Sequence, residues 1–231
     1  MSTDPPKALQ RTRVWDLPTR TFHWLLTVAV VASVVTGQIG GNAMVWHLRI
    51  GLVVMALLVF RGVWGLVGGH WSRFSSFFYG PRSWLAYWRG HSGPGGRYDI
   101  GHSPVAAPAV WAMLVLLGVQ VGTGLIADDE VATTGPLNRF VAADTVLRAS
   151  GWHTGPGKTL LIVLTLLHVA AVLYYLLRKR RNLVGPMWHG DQPLPPGAIA
   201  SRDSAATRLL ALAIAGASVG LAWWVWRLGV A

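Results

Sequence analysis

The chain has 231 residues, of which 52% are hydrophobic and only 13% are charged. Soluble globular domains carry about a quarter charged residues, so this composition excludes an ordinary soluble protein and predicts an integral membrane protein. The absence of cysteine excludes disulfides, thiolate-bound iron–sulfur clusters and covalently attached c-type haem. Any redox cofactor must therefore be held by histidine, methionine or carboxylate.

Five apolar segments are long enough to cross a bilayer, which takes about 20 residues of helix. They cover residues 20–39, 45–67, 106–127, 157–177 and 207–228. The first segment follows a polar arm and has no small-residue cleavage site after it, so we expect it to be retained. The predicted fold is an all-α integral membrane protein with a four-helix transmembrane bundle and a fifth, C-terminal transmembrane helix.

The basic residues are distributed unevenly between the two sides of the predicted membrane. If the N-terminus lies inside, 15 of the 20 lysines and arginines, Lys7 among them, fall in inner segments. The outer side keeps five basic residues and the acidic cluster at residues 128–130. The positive-inside rule then predicts a bacterial inner-membrane protein with a cytoplasmic N-terminus and a periplasmic C-terminus. The net charge of +11 is explained by this orientation, without a nucleic-acid partner.

Composition divides the chain into four predicted parts. Residues 1–19 form a cytoplasmic N-terminal arm, residues 20–181 the four-helix bundle, residues 182–204 a linker rich in proline and glycine, and residues 205–231 the fifth helix. Within the bundle, residues 80–90 (GPRSWLAYWRG) carry three aromatic residues between Arg82 and Arg89. This pattern predicts a short helix at the membrane surface, with the aromatic rings among the lipid headgroups.

Four of the eight histidines lie in or at the ends of the apolar segments, where an ionisable group is costly and usually functional. His23 lies near the inner end of the first segment, and His47 near the outer start of the second. His153 and His168 are 15 residues apart, about 22 Å along a helix axis, and share one broad face. Depth therefore pairs His23 with His168 and His47 with His153.

Two imidazoles on facing helices are the two axial ligands that a six-coordinate haem iron needs. The edge of a flat, apolar macrocycle passes most easily beside small residues, and Gly37, Gly51 and Gly122 are available. Arg20 and Arg49 lie near the two membrane faces, where they can neutralise haem propionates. The sequence thus predicts two haem b groups.

Two other interpretations of the histidines stay open. Each could simply hydrogen-bond to a neighbouring helix, as polar side chains in membranes do. The pairs could also bind zinc or another transition metal, although such sites usually recruit carboxylate or thiolate and no acidic residue lies mid-span. His102, just before the third segment, is a further candidate.

Four motifs resemble those of the bacterial cytochrome b561 family, which includes the membrane cytochrome b subunits of nickel–iron hydrogenases. They are RVWDLPTRTFHWLL (13–26), WHLRIG (46–51), LLHVAAVLYYLL (166–177) and GPM (185–187). The resemblance implies four helices that hold two b-type haems, with quinone chemistry at one face linked to a redox partner. It also implies that His23 and His168 ligate the inner haem iron, and that His47 and His153 ligate the outer one.

The chain departs from this pattern in two places. Three glycines and Pro156 surround His153, which predicts a kink there or a helix that begins after it. The fifth helix lies beyond the four-helix core and is expected to be a lipid-facing anchor or a docking helix.

The leading functional hypothesis is electron transfer across the membrane between the quinone pool and a periplasmic redox partner, such as a c-type cytochrome. A second hypothesis is a superoxide oxidase that couples superoxide oxidation to quinone reduction. The outer side carries five basic and four acidic residues, so its field would steer an anion only weakly. A third hypothesis is a haem-free membrane anchor or metal transporter. Whether the chain is itself an enzyme stays open.

Overall fold

The computed structural model describes residues 8–230, without the side chains of residues 94, 95 and 230. Lys7, which supported the predicted orientation, and Ala231, the end of the predicted fifth helix, lie outside this range. Within the described residues, five helical segments are long and apolar enough to cross a membrane. They consist of α1 (Leu17–Ile39), α2 (Met44–Val67), α4 (Ala106–Ile126), the α5–α6 pair (Ala143–Thr154 and Pro156–Leu177) and α8 (Ala205–Val230). The predicted all-α membrane fold is confirmed.

Helix α1 begins at Leu17, three residues before the predicted start of the first segment. Asp16 occupies the N-cap position, where its carboxylate accepts a hydrogen bond from the Thr19 N–H at 2.8 Å. Pro18 fits the first turn because the N–H that proline lacks has no helical partner there. The earlier start places His23 well inside the helix rather than at its end.

The fourth predicted span is divided at Gly155, where the glycines and proline around His153 predicted a kink. Helix α5 ends at Thr154, and α6 begins at Pro156 after Gly155 adopts φ −105° and ψ −106°. His153 lies in the last turn of α5. Because of this break, the His153 imidazole lies at the end of α5, and α6 continues through the membrane as a separate helix.

The predicted N-terminal arm and linker join at one end of the bundle, the end predicted to face the cytoplasm, and the two ends are called inner and outer below after that prediction. Strand β1 (Gln10–Arg13) pairs antiparallel with β2 (Asp191–Leu194), which follows the short helix α7 (Val184–His189). Arg13 supports this pairing with ion pairs to Asp191 at 2.8 Å and Asp203 at 3.4 Å. The sequence did not predict this sheet, because strands of four residues are too short to show a reliable alternation.

Helix α3 (Pro81–Trp88) lies within residues 80–90, where the interfacial helix was predicted. Trp88 and Leu85 are exposed on it, consistent with a helix that rests on lipid.

Helix α2 is central to the bundle and packs against α1, α4 and α8, whereas α6 packs against α4 and α5. On α8, Ala222 and Val225 are buried against Leu52 and Ala56 of α2. Small residues at such an interface let two helix backbones approach closely. Helix α8 is therefore part of the bundle, on the side of α2, and the three helices α1, α2 and α8 enclose an apolar groove of about 840 Å³.

Candidate cofactor-binding sites

The structure brings His23 and His168 together near the inner end of the bundle. Their ring centroids are 6.4 Å apart, and the ring planes are inclined by 55°. The Nδ1 atom of His23 is buried and has no hydrogen-bond partner. The His168 side chain is exposed although it lies in the middle of a membrane helix. Protein atoms alone therefore leave His23 Nδ1 unpaired and the His168 side chain uncovered.

The structure also brings His47 and His153 together, near the outer end. Their ring centroids are 5.8 Å apart, with an interplanar angle of 81°. His47 Nδ1 lies 2.8 Å from the Ser33 carbonyl oxygen, and His153 Nδ1 lies 2.8 Å from that of Gln120. A carbonyl oxygen only accepts, so both Nδ1 atoms carry the proton and each Nε2 keeps a lone pair for a metal.

Both separations fit a metal held between two imidazoles. With metal–nitrogen bonds of about 2 Å on opposite sides, the ring centroids lie roughly 6 Å apart. Among the described residues, no group of three or more His, Cys, Asp or Glu side chains is placed to hold a metal ion. The donor set at each site is thus a pair, and haem iron is a metal that needs only a pair because the macrocycle supplies its other four ligands.

The predicted glycines have two different roles. A Cβ atom on Gly37 would lie 3.1 Å from the His47 ring, so this glycine makes room for the imidazole of the outer histidine. Gly124 does the same for His153, with a Cβ contact of 2.7 Å. A Cβ on Gly51 or Gly122 would meet nothing within 4 Å, so both positions border open space.

The two predicted arginines are placed differently. Arg20 lies one turn before His23, donates to the Trp188 carbonyl at 2.6 Å, and has a buried Nε without a partner. Arg49 lies over the Trp46 ring at 5.1 Å and lines the groove beside α8. Because it follows His47 by two residues, it points to about the opposite side of α2. The structure thus keeps Arg20 beside the inner pair and directs Arg49 away from the outer pair.

His102, the further candidate, is enclosed by aromatic rings at the inner end of the bundle. Its ring lies 4.9 Å from that of Trp15 and 4.6 Å from that of Phe77. Burial lowers the pKa of His102 to about 3, and the positive charge of Arg61 adds to the effect. His102 is therefore a neutral imidazole.

Two residues that orient the outer histidines were missed in the sequence. The Gln120 side chain donates to the His153 carbonyl at 2.7 Å, while the Gln120 backbone accepts from the ring of the same residue. A polar residue in the middle of an apolar helix was a usable signal, since such residues often bond across helices. Ser33 acts on His47 through its backbone carbonyl, so no side-chain pattern could have marked it.

Asp16, in the first motif, has a structural role. The carboxylate is fully buried and accepts four hydrogen bonds, which tie the start of α1 to the end of α2 and the turn after it. The donors and distances are Thr19 N (2.8 Å), Trp64 Nε1 (3.2 Å), Gly69 N (3.1 Å) and Ser72 Oγ (2.7 Å). This network fixes the start of α1 and hence the position of His23.

A bundle of membrane helices with histidine pairs at two depths has the architecture of membrane-bound b-type cytochromes. Residues 14–190 match the prokaryotic cytochrome b561 family, and the chain belongs to that family. It is 26% identical to a probable Ni/Fe-hydrogenase B-type cytochrome subunit of Cupriavidus necator, in an alignment that covers 80% of this chain and 88% of the relative. No solved structure matches the chain. The protein is therefore a multi-pass membrane b-type cytochrome of electron transfer, and its family implies haem b.

Proposed function

We propose that the chain carries electrons across the bacterial inner membrane through two haem b groups, between the quinone pool and a periplasmic redox protein. The observation that supports this most strongly is the presence of two imidazole pairs with centroid separations of 6.4 and 5.8 Å at opposite ends of one bundle. A hydrocarbon core of about 30 Å is too thick for one centre to serve both faces efficiently.

The chain's own residues supply the ligands and their orientation. His23 and His168 hold the inner iron, and His47 and His153 hold the outer one. The carbonyl groups of Ser33 and Gln120 keep the outer imidazoles in the tautomer that presents Nε2. When bound, haem provides reversible one-electron chemistry, and the surrounding helices tune its potential by burial and nearby charge.

The outer partner is expected to dock against the loop between α4 and α5, on the periplasmic side. This loop carries the acidic residues 128–130, which would attract a cationic surface such as that of a c-type cytochrome. Asp129 already accepts three backbone hydrogen bonds from residues 131–133, so its carboxylate also holds the loop in shape. The name of the relative makes a hydrogenase a further candidate partner.

The test is a haem-to-protein ratio combined with a potentiometric titration of the purified protein. We expect two haem b groups per chain and two resolved one-electron transitions. A single haem, or no sharp α-band after reduction with dithionite, would contradict the proposal.

A further inference from the structure

Three buried nitrogen atoms at the inner end of the bundle have no hydrogen-bond partner. Two are N–H donors, Arg61 Nη1 on α2 and Trp111 Nε1 on α4, and the third is His102 Nδ1 in the turn before α4, which donates in one of the two neutral tautomers. Buried polar groups are almost always paired, so each orphan requires an explanation. Three at one end of the bundle indicate a ligand that accepts hydrogen bonds.

Aromatic rings join these three donors into one group, which we name the inner donor cluster (Arg61, His102 and Trp111). The Arg61 guanidinium lies 4.5 Å from the Phe74 ring, and that ring lies 4.7 Å from Trp111. Phe77 lies 5.8 Å from Trp111 and 4.6 Å from His102. The donors are thus held by one continuous set of packed rings.

The inner donor cluster lies at the depth of the inner histidine pair. Helices α1 and α2 run antiparallel against each other; His23 is six residues after the start of α1, and Arg61 is six residues before the end of α2. Trp111 is five residues into α4. Phe22, next to His23, and Phe60, next to Arg61, have ring centroids 6.4 Å apart, so the two residues lie in one region.

The charge of Arg61 identifies the kind of ligand. Arg61 is only 4% exposed, and it forms no ion pair among the described residues. Asp16, the fully buried acid at the same end, already accepts four hydrogen bonds from other donors. A buried cation with an unpaired N–H is costly, and the unpaired N–H of Trp111 in the same cluster calls for an anion with more than one acceptor oxygen. A carboxylate meets both requirements.

We propose that the inner donor cluster binds a carboxylate of the haem held between His23 and His168, and that Arg61 thereby sets the potential of the inner centre. This inference rests on the proposed inner haem, whose propionates are its carboxylates. Arg20 keeps a free, buried Nε beside the same pair and is placed to meet the second propionate. A fixed positive charge near the iron favours the reduced state, so Arg61 raises the inner potential.

The experiment compares Arg61→Gln and Arg61→Lys with the wild type by potentiometric titration. Each change is also made with His47→Ala, which leaves only the inner haem. We expect Arg61→Gln to lower the potential of the inner transition without moving the outer one, and Arg61→Lys to restore most of the shift. Arg227→Gln is the matched control: Arg227 also lies over an aromatic ring, at 5.5 Å from Trp223, but is exposed on α8.

Infrared difference spectra of protein with ¹³C-labelled haem propionates test the ligand directly. The carboxylate bands should shift in Arg61→Gln and, more weakly, in Trp111→Phe, which keeps an aromatic ring and removes only the N–H. Trp111→Phe decides the question if Arg61→Gln fails to fold. If the carboxylate bands do not move, the inference is overturned, whether or not the potential changes. If the potential changes while the bands stay in place, the ligand is a neutral acceptor such as a quinone carbonyl.

The two proposals fail in different ways. If His168→Ala removes no haem, the inner haem itself is wrong. If His168→Ala removes one haem but the Arg61 variants shift neither the inner potential nor the carboxylate bands, only the role of the inner donor cluster is wrong.

Discussion

The two histidine pairs are built from similar parts but have opposite surroundings. At the outer pair, both Nδ1 atoms donate to backbone carbonyls of neighbouring helices, and Gly37 and Gly124 leave room for the two rings. At the inner pair, His23 Nδ1 has no partner, and unpaired donors with a buried arginine lie nearby. A donating Nδ1–H raises the basicity of the coordinating nitrogen and favours oxidised iron, whereas a nearby cation favours reduced iron. The comparison therefore predicts that the inner centre has the higher potential.

Removing one ligand from each pair gives the largest expected effect. His168→Ala should abolish the inner haem and His47→Ala the outer one, so each variant loses about half of the haem because a b-type haem depends on its axial ligands. A pyridine haemochrome assay against protein concentration measures the loss. The haem that remains in His47→Ala should also titrate at a higher potential than the one in His168→Ala.

His91→Ala, in the exposed inner loop, is the control and should keep the full haem content. Loss of both haems from either ligand variant would mean that the pairs do not bind independently. A lower potential for the inner haem than for the outer haem would refute the predicted difference between the two pairs.

The inner site is supported by a buried side-chain network, so Asp16→Ala should have the next largest effect. Four donors would lose a charged acceptor, and we expect the free energy of unfolding to fall by about 3 kcal/mol or more. Unfolding by SDS in mixed micelles measures it. Asp144→Ala breaks an exposed ion pair with Arg148 and should change the same quantity by less than about 1 kcal/mol.

Much of this fold follows from local signals in the sequence. Long apolar segments predicted the membrane helices, and the residues around Pro156 predicted the break near His153. The depths of the four histidines predicted which imidazoles the structure brings together. These properties depend on the length of each apolar segment, which the sequence shows, and on the rise per residue, which is the same in any α-helix.

The remaining features depend on contacts between distant segments. The pairing of residues 10–13 with residues 191–194 joins strands too short to show a pattern. The carbonyl of Ser33 and the direction of Arg49 are set by how helices pack, and not by residue type. In the sequence Arg61 is one of the 15 basic residues on the predicted inner side; only the structure shows that it is buried with a guanidinium nitrogen that has no hydrogen-bond partner.

Gly124→Ala tests whether close packing holds the outer histidine in place. The new Cβ would lie 2.7 Å from His153 Cε1, so the ring must move away from its present position. Such overpacking costs about 1–3 kcal/mol, and we expect weaker retention of the outer haem with no change at the inner one. Haem loss to apomyoglobin measures retention at each site. Gly216→Ala, where a Cβ meets nothing within 4 Å, should retain both haems like the wild type.

The smallest effect is expected from Gln120→Met, which removes the side-chain bond to the His153 carbonyl but leaves the backbone carbonyl that accepts from the ring. One such hydrogen bond contributes about 1 kcal/mol, so outer haem dissociation should accelerate about fivefold. Ser218→Ala removes a hydroxyl that bonds only within α8 and should not change the rate. If Gln120→Met instead accelerated loss of the inner haem, the helix carrying Gln120 would couple the two sites, and their treatment as separate centres would fail.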